Sequence, residues 1–210
     1  MAGVLVTWYD IRKAEYPSKF WAFSGMDVGP DGFGRDRREA HLVEREYVDK
    51  NGETKTRMST TFDPWLQSRL LGVLGGSLMR KNSPYKVHYY NYRHRMETDP
   101  ARKKGTLLDK KNLLKASNKA HAEGNEEESL RLRAEADHLW HPLRIHRASL
   151  RYMVKNFVAD FWREWRIVEG LPVVPRYHEA KMGHVHHVRS SSENQNNQDP
   201  TEAPSSEAAE

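Results

Sequence analysis

The chain has 210 residues, 37% hydrophobic and 30% charged, with a formal net charge of +5 and no cysteine. That length suits one domain, or one domain with a tail. The lack of cysteine excludes a disulfide scaffold, a Cys-ligated zinc site and a thiol nucleophile, and fits a reducing cytosol.

Ala2–Tyr9 is apolar and β-prone, which predicts a short strand. Met1–Thr7 lacks the basic start and the length of a signal peptide. Ala14–Phe23 predicts a short helix, with Gly25 just past its end. The block Pro17-Ser18-Lys19-Phe20-Trp21-Ala22-Phe23-Ser24-Gly25-Met26 concentrates aromatic residues that need an apolar wall, yet little chain precedes it. The loop Gly29-Pro30-Asp31-Gly32-Phe33-Gly34-Arg35-Asp36-Arg37-Arg38 follows, and reads as backbone held close to an anionic ligand. His41–Val48 and Thr54–Thr61 alternate around Asn51-Gly52, a strong hairpin signal. Arg45, Lys50, Lys55 and Arg57 decorate that hairpin.

From residue 63 the pattern becomes helical. Asp63-Pro64 is an N-cap followed by proline at the first helical position. Trp65, Leu66, Leu70, Val73, Leu74 and Leu78 form the apolar face. Gly72, Gly75 and Gly76 weaken this helix by roughly 1 kcal/mol each, so a neighbouring element is expected to approach them closely. A second helix starts at Ser83-Pro84 and runs to about Glu97. Thr106–His138 is long and polar and predicts an exposed helical hairpin broken near Gly124-Asn125. His141-Pro142 opens the strongest helix, to about Glu169. Met153, Phe157, Phe161 and Trp165 lie along its core face, with Leu150, Val154 and Val158 widening it. Arg144, Arg147, Arg151, Lys155, Arg163 and Arg166 populate the remainder. Residues 189–210 are polar and read as a disordered acidic tail. No apolar run reaches the ~18–20 residues of a membrane span.

The tail carries Glu193, Asp199, Glu202, Glu207 and Glu210 and no Lys or Arg from residue 190 onward. Setting that −5 aside leaves +10 on residues 1–189. A basic body points to a polyanion partner, most commonly nucleic acid. The candidate contacts are Lys19, Arg35, Arg37, Arg38, Arg80, Lys81, Lys86, Arg93, Arg95, Arg147, Arg151 and Lys155. Such cations neutralise phosphates, and the tyrosines of the second helix (Tyr85, Tyr89, Tyr90, Tyr92) are able to stack on bases. Ser24 and Ser59 are weak candidates for a nucleophile, without a recognisable base beside either in sequence. His184-Val185-His186 has the histidine–hydrophobic–histidine pattern of single-strand nucleases, which makes His184 and His186 weak metal-ligand candidates. Non-ligand histidines are the favoured alternative. Asp10, Asp27, Asp31, Asp63 and Asp160 show no spacing that groups them into a two-metal site.

The order of these pieces resembles the C-terminal transposase domain of the insertion-sequence 110/116/902 family. Pro17–Met26 is like the family's serine-x-x-leucine-x-alanine-tyrosine-x-glycine-leucine block, and a Gly/Arg loop and hairpin follow it. Phe62-Asp63-Pro64-Trp65-Leu66-Gln67-Ser68-Arg69-Leu70-Leu71 resembles the helix start that comes next. Tyr85 to Arg95, Arg151-Tyr152-Met153-Val154-Lys155-Asn156-Phe157 and Gly170-Leu171-Pro172-Val173 look like the closing helices. The resemblance covers about residues 8–187. It implies DNA transposition, with DNA and a structured guide RNA as partners. It also implies a separate RuvC-like domain holding a divalent metal such as Mg, and a serine nucleophile in the C-terminal part.

The match starts almost at Met1, and Gly29–Arg38 contains no serine. The expectation is a truncated or split transposase that binds nucleic acid but does not catalyse alone. No catalytic residue or cofactor is assigned to this chain. A RuvC-like subunit and a homo-oligomer are the expected protein partners, and the expected setting is the bacterial cytoplasm, at the nucleoid. The alternatives are a non-enzymatic nucleic-acid-binding accessory protein and a metal-dependent nuclease. The expected fold is α+β and predominantly helical: a small N-terminal β-hairpin, three or four packed helices, a polar helical insertion at 106–138, and one domain over residues 1–188.

Overall fold

The computed structural model describes residues 2–174 apart from 30 and 81. Lys81, the acidic tail and the His184/His186 pair lie outside the described residues. In chain order the elements are α1 (Ala2–Trp8), α2 (Pro17–Phe23), β1 (Leu42–Val48), β2 (Thr54–Thr60), α3 (Pro64–Ser68), a π-helical stretch Arg69–Gly75, α4 (Gly76–Arg80), α5 (Lys86–Thr98), α6 (Leu107–Ala122), α7 (Glu126–His138) and α8 (Pro142–Val168). The fold is α+β and mostly helical, with one antiparallel hairpin.

Residues 2–8 are a helix rather than the expected strand. Among the described residues β1 and β2 form the sole sheet, so a strand here would have no ladder to join. A helix satisfies its own backbone and puts Leu5 and Tyr9, four apart, on one buried side. α2 starts at Pro17 and not at Ala14, because proline holds the preceding Tyr16 extended (φ −130°, ψ 150°).

The end of α2 fixes the first corner of the chain. Gly25 N–H donates to Ala22 O at 3.2 Å and Met26 N–H to Trp21 O at 2.8 Å. This is a Schellman closure, and Gly25 takes the left-handed conformation it requires, φ +64°. A Cβ on Gly25 would sit 2.4 Å from Phe62 Cδ2. The corner therefore needs glycine for both its backbone and its packing.

The aromatic block does have its wall. Leu5, Tyr9, Ile11 and Ala14 join Phe20, Met26, Leu66, Leu70, Leu74, Val154, Val158 and Trp162 in one core. Tyr9 stacks on Phe20 with centroids 4.0 Å apart. Trp8 stacks on Trp65 at 4.7 Å and ties α1 to α3. Residues 2–16 are enough, because α8 supplies the opposite side.

α8 is 27 residues long, about 40 Å at 1.5 Å per residue. It is buried on two sides. Val154, Val158 and Trp162 face the core of α1–α3. On the other side Tyr85 Oη donates to Asp160 Oδ2 at 3.0 Å, Tyr89 Oη bonds His146 Nδ1 at 2.7 Å, and Tyr92 stacks on Tyr152 at 4.8 Å. A helix with a partner on each side reads as a broad stripe. Arg166 is part of this interior: only 6% exposed, it donates through Nη1 to Ala14 O at 2.9 Å and through Nε to Pro172 O at 2.6 Å.

Of the three glycines around the π-helical stretch, Gly75 is the one approached by a neighbouring element. A Cβ there would meet Leu150 Cδ1 of α8 at 3.0 Å. Gly72 faces open space, and Gly76 would meet only Arg80 of its own helix, at 4.0 Å.

α6 and α7 form the expected hairpin and pack chiefly on each other. A full capping box at Thr106 and Asp109 starts α6, and Asn125 caps α7 by accepting from Glu128 N–H. Ser117 Oγ donates to Ser129 O at 2.9 Å inside the pair. The arm is rooted where Lys104 bridges Trp140: Trp140 N–H donates to Lys103 O at 2.8 Å and Gly105 N–H to Trp140 O at 3.3 Å.

Candidate nucleic-acid interface

The candidate cations divide sharply once placed. Arg151 and Lys155 lie on the same turn-to-turn row of α8 as the buried Val154 and Val158, and both point inward. Arg151 donates to Gly25 O and, at 3.4 Å, to Arg35 O. Burial disfavours its charged form, with Asp27 and Asp36 acting the other way. Lys155 Nζ lies 4.3 Å from the centroid of Trp21, whose indole N–H donates to Lys155 O at 3.2 Å. Burial lowers the Lys155 pKa, and Asp27 counters it. These two side chains hold the first corner together and offer little to a ligand.

The Gly/Arg loop is largely neutralised from within. Arg35 Nε pairs with Asp27 Oδ2 at 3.1 Å, and Arg38 pairs with Asp36 at 2.7 Å and Asp31 at 3.4 Å. His41 is 1% exposed and bridges the two carboxylates: Nε2 is 2.9 Å from Asp31 Oδ1 and Nδ1 is 3.0 Å from Asp36 Oδ1. Burial alone would raise both carboxylates. The hydrogen bonds from His41 and from Phe33 N–H to Asp31, those from the Arg38 side chain and N–H to Asp36, and the charge of Arg38 together outweigh it and hold both below the usual range. The loop wraps a histidine instead of opening its backbone to an anion.

Arg93 pairs with Glu97 at 2.8 Å along α5. Lys19, Arg37, Arg80, Lys86, Arg95 and Arg147 carry no ion pair among the described residues. Arg95 instead lies over the stacked rings of Tyr92, at 4.8 Å, and Tyr152, at 5.9 Å. The α5 tyrosines are mostly committed to the α5–α8 seam; Tyr90, 54% exposed, is the one with most of its surface in solvent.

The strongest cationic feature was not among the candidate residues as a set. Arg102, Trp140, Arg144, Phe33 and Arg38 form a ladder of alternating guanidinium groups and rings. The guanidinium-to-centroid distances along it are 4.2, 4.3, 4.7 and 4.7 Å. Its middle rung, Arg144, also donates to Asp137 O and, at 3.2 Å, to Leu139 O. The outer rungs are anchored by Asp99 and by Asp36. Burial, then the neighbouring Arg102 and Arg38, make the charged form of Arg144 less favourable than in water.

His141 registers the same field. It is buried, caps α8 by accepting from Arg144 N–H at 3.3 Å, and has a pKa lowered by burial, then by Lys110, Arg144 and Arg147. Cations thus crowd the junction where the Gly/Arg loop, the root of the arm and the start of α8 meet. Two guanidinium groups lie over each of Phe33 and Trp140, so these rings are already engaged and the surface suits phosphates better than unstacked bases.

Ser24 is 0% exposed and donates to Phe20 O at 2.7 Å as part of the α2 ending. Ser59 lies on β2 opposite Val43. Among the described residues no group of three or more His, Asp and Glu is placed to hold a metal ion, and no helix is long and apolar enough to cross a membrane. No family model, curated protein or solved structure matches the chain.

Proposed function

We propose that this chain is the nucleic-acid-binding part of a transposase of the insertion-sequence 110/116/902 type, acting in DNA transposition on DNA and a structured RNA. The observation that carries the binding is the cationic junction: Arg144 and Arg147, which have no ion pair among the described residues, stand beside Arg38, Arg102 and Lys110, which pair with Asp36, Asp99 and Asp137. The ordered sequence blocks from Pro17 to Val173 carry the transposase assignment. In this reading the chain binds and positions nucleic acid. A RuvC-like subunit with a divalent metal such as Mg supplies phosphoryl transfer.

The binding test is a titration of the full chain with duplex DNA and structured RNA across salt. A protein that neutralises several phosphates loses affinity by orders of magnitude between about 50 and 200 mM salt. Arg147→Ala should weaken binding across sequences and reduce the salt slope by about 1. A flat salt response, or no binding at low salt, overturns the reading. For transposition, recombination between donor and target plasmids should need this chain together with a RuvC-like subunit. Binding without that requirement would leave an accessory nucleic-acid-binding protein.

A further inference from the structure

The β1–β2 hairpin is exposed along nearly its whole length, on both faces. A two-stranded sheet without a covered face is marginal in water. Its register nevertheless sets Arg45 directly opposite Arg57. Like charges opposite each other destabilise a ladder. Among the described residues neither arginine has an ion pair; Arg57 lies 5.0 Å from the ring of Tyr47 on the same face. Side chains alternate along each strand. One face therefore carries Val43, Arg45, Tyr47, Lys55, Arg57 and Ser59, with no acidic residue in its strands. The other carries Glu44 and Glu46. Asp49 and Glu53 at the turn pair with Lys55 and leave the two arginines alone.

We infer that the basic face of this hairpin enters the major groove of a B-form DNA duplex. The inference rests on the nucleic-acid-binding reading above but concerns a different surface from the cationic junction. Charge selects the occupant, since the face is cationic where the reverse face is acidic. Shape selects the groove. A two-stranded ribbon fits the B-form major groove, about 12 Å wide, whereas the major groove of A-form RNA is too deep and narrow for side chains to read. Arg45 and Arg57 then meet phosphates or guanine edges, and the anionic groove relieves their mutual repulsion.

The test measures binding of the full chain and of Arg45→Gln/Arg57→Gln to a random-sequence DNA duplex and to an RNA duplex of the same sequence. The double variant should lose at least about tenfold in affinity for DNA and change less than about twofold for RNA. Its melting temperature should stay equal or rise, because a like-charge pair is gone; this separates lost contacts from lost folding. Unchanged DNA affinity in a variant of a DNA-binding parent overturns the hairpin assignment alone. An equal loss on RNA overturns the groove. A parent that binds neither duplex at low salt overturns both this inference and the nucleic-acid reading.

Discussion

Gln67 of α3 and Arg151 of α8 donate to the same two carbonyl oxygens. Gln67 Nε2 is 2.7 Å from Gly25 O and 3.0 Å from Arg35 O, and the Arg151 guanidinium reaches both. Each carbonyl keeps one donor when either side chain is removed. Gln67→Ala and Arg151→Ala should each be mild. The double variant should exceed their sum by about 1 kcal/mol, because two sheltered carbonyls are then left without a donor. Denaturant unfolding of all four proteins measures the coupling, and strict additivity would sink the account.

Gly25→Ala should be severe. A left-handed non-glycine residue costs about 1–2 kcal/mol, and the 2.4 Å approach to Phe62 adds displacement of a buried ring. At roughly 2–4 °C per kcal/mol for a chain of this size, a fall in melting temperature of several degrees is expected.

Gly72 and Gly75 should part company. Alanine at Gly72 enters open space and should stabilise by up to about 1 kcal/mol through propensity. Alanine at Gly75 meets Leu150 at 3.0 Å, and α8 must give way, so the same propensity gain should be cancelled or reversed. Thermal melts of the two single variants decide it.

Stability should fall in two acid steps. The unfolded His141 pKa is near 6.5 and the folded one lower. Between those values the unfolded chain binds more protons, so stability rises with pH and is lost as pH falls below about 6.5. His141→Asn keeps a capping acceptor and should flatten this step. Asp31 and Asp36 have folded values below 3.8. Their contribution is present above that pH and is lost as pH falls through the folded values, in a second, lower step. Melting temperature against pH for the parent and the Asn variant tests both.

Local chemistry made much of this fold legible. Asn51-Gly52 turns the hairpin, Asp63 caps α3 by accepting from Leu66 N–H at 2.9 Å, and His141-Pro142 opens α8. The failures have a common cause in partners distant along the chain. β-prone Val4–Thr7 became helical because no strand is available to pair with it. The sequence pattern sets Arg151, Lys155 and Arg166 outside the core face, the first two as nucleic-acid contacts, yet their spacing from Val154, Val158 and Trp162 puts them on the inward rows. That phase was readable in the sequence; the backbone carbonyls that receive Arg151 and Arg166 were not. The ladder joins residues 33, 38, 102, 140 and 144, and no local pattern announces such a stack. The one sequence hint was aromatic residues in otherwise polar loops.

The α6–α7 arm leaves and rejoins the body at one point, where Lys104 bridges Trp140. Its two ends are already held side by side by backbone hydrogen bonds, so the body does not depend on how far the arm extends. The outer turns of the arm are free to change in length, while Lys110, Asp137 and His138 near its root stay beside His141, Arg144 and Phe33. The arm is thus a place where evolution is able to change reach without redrawing the rest of the molecule.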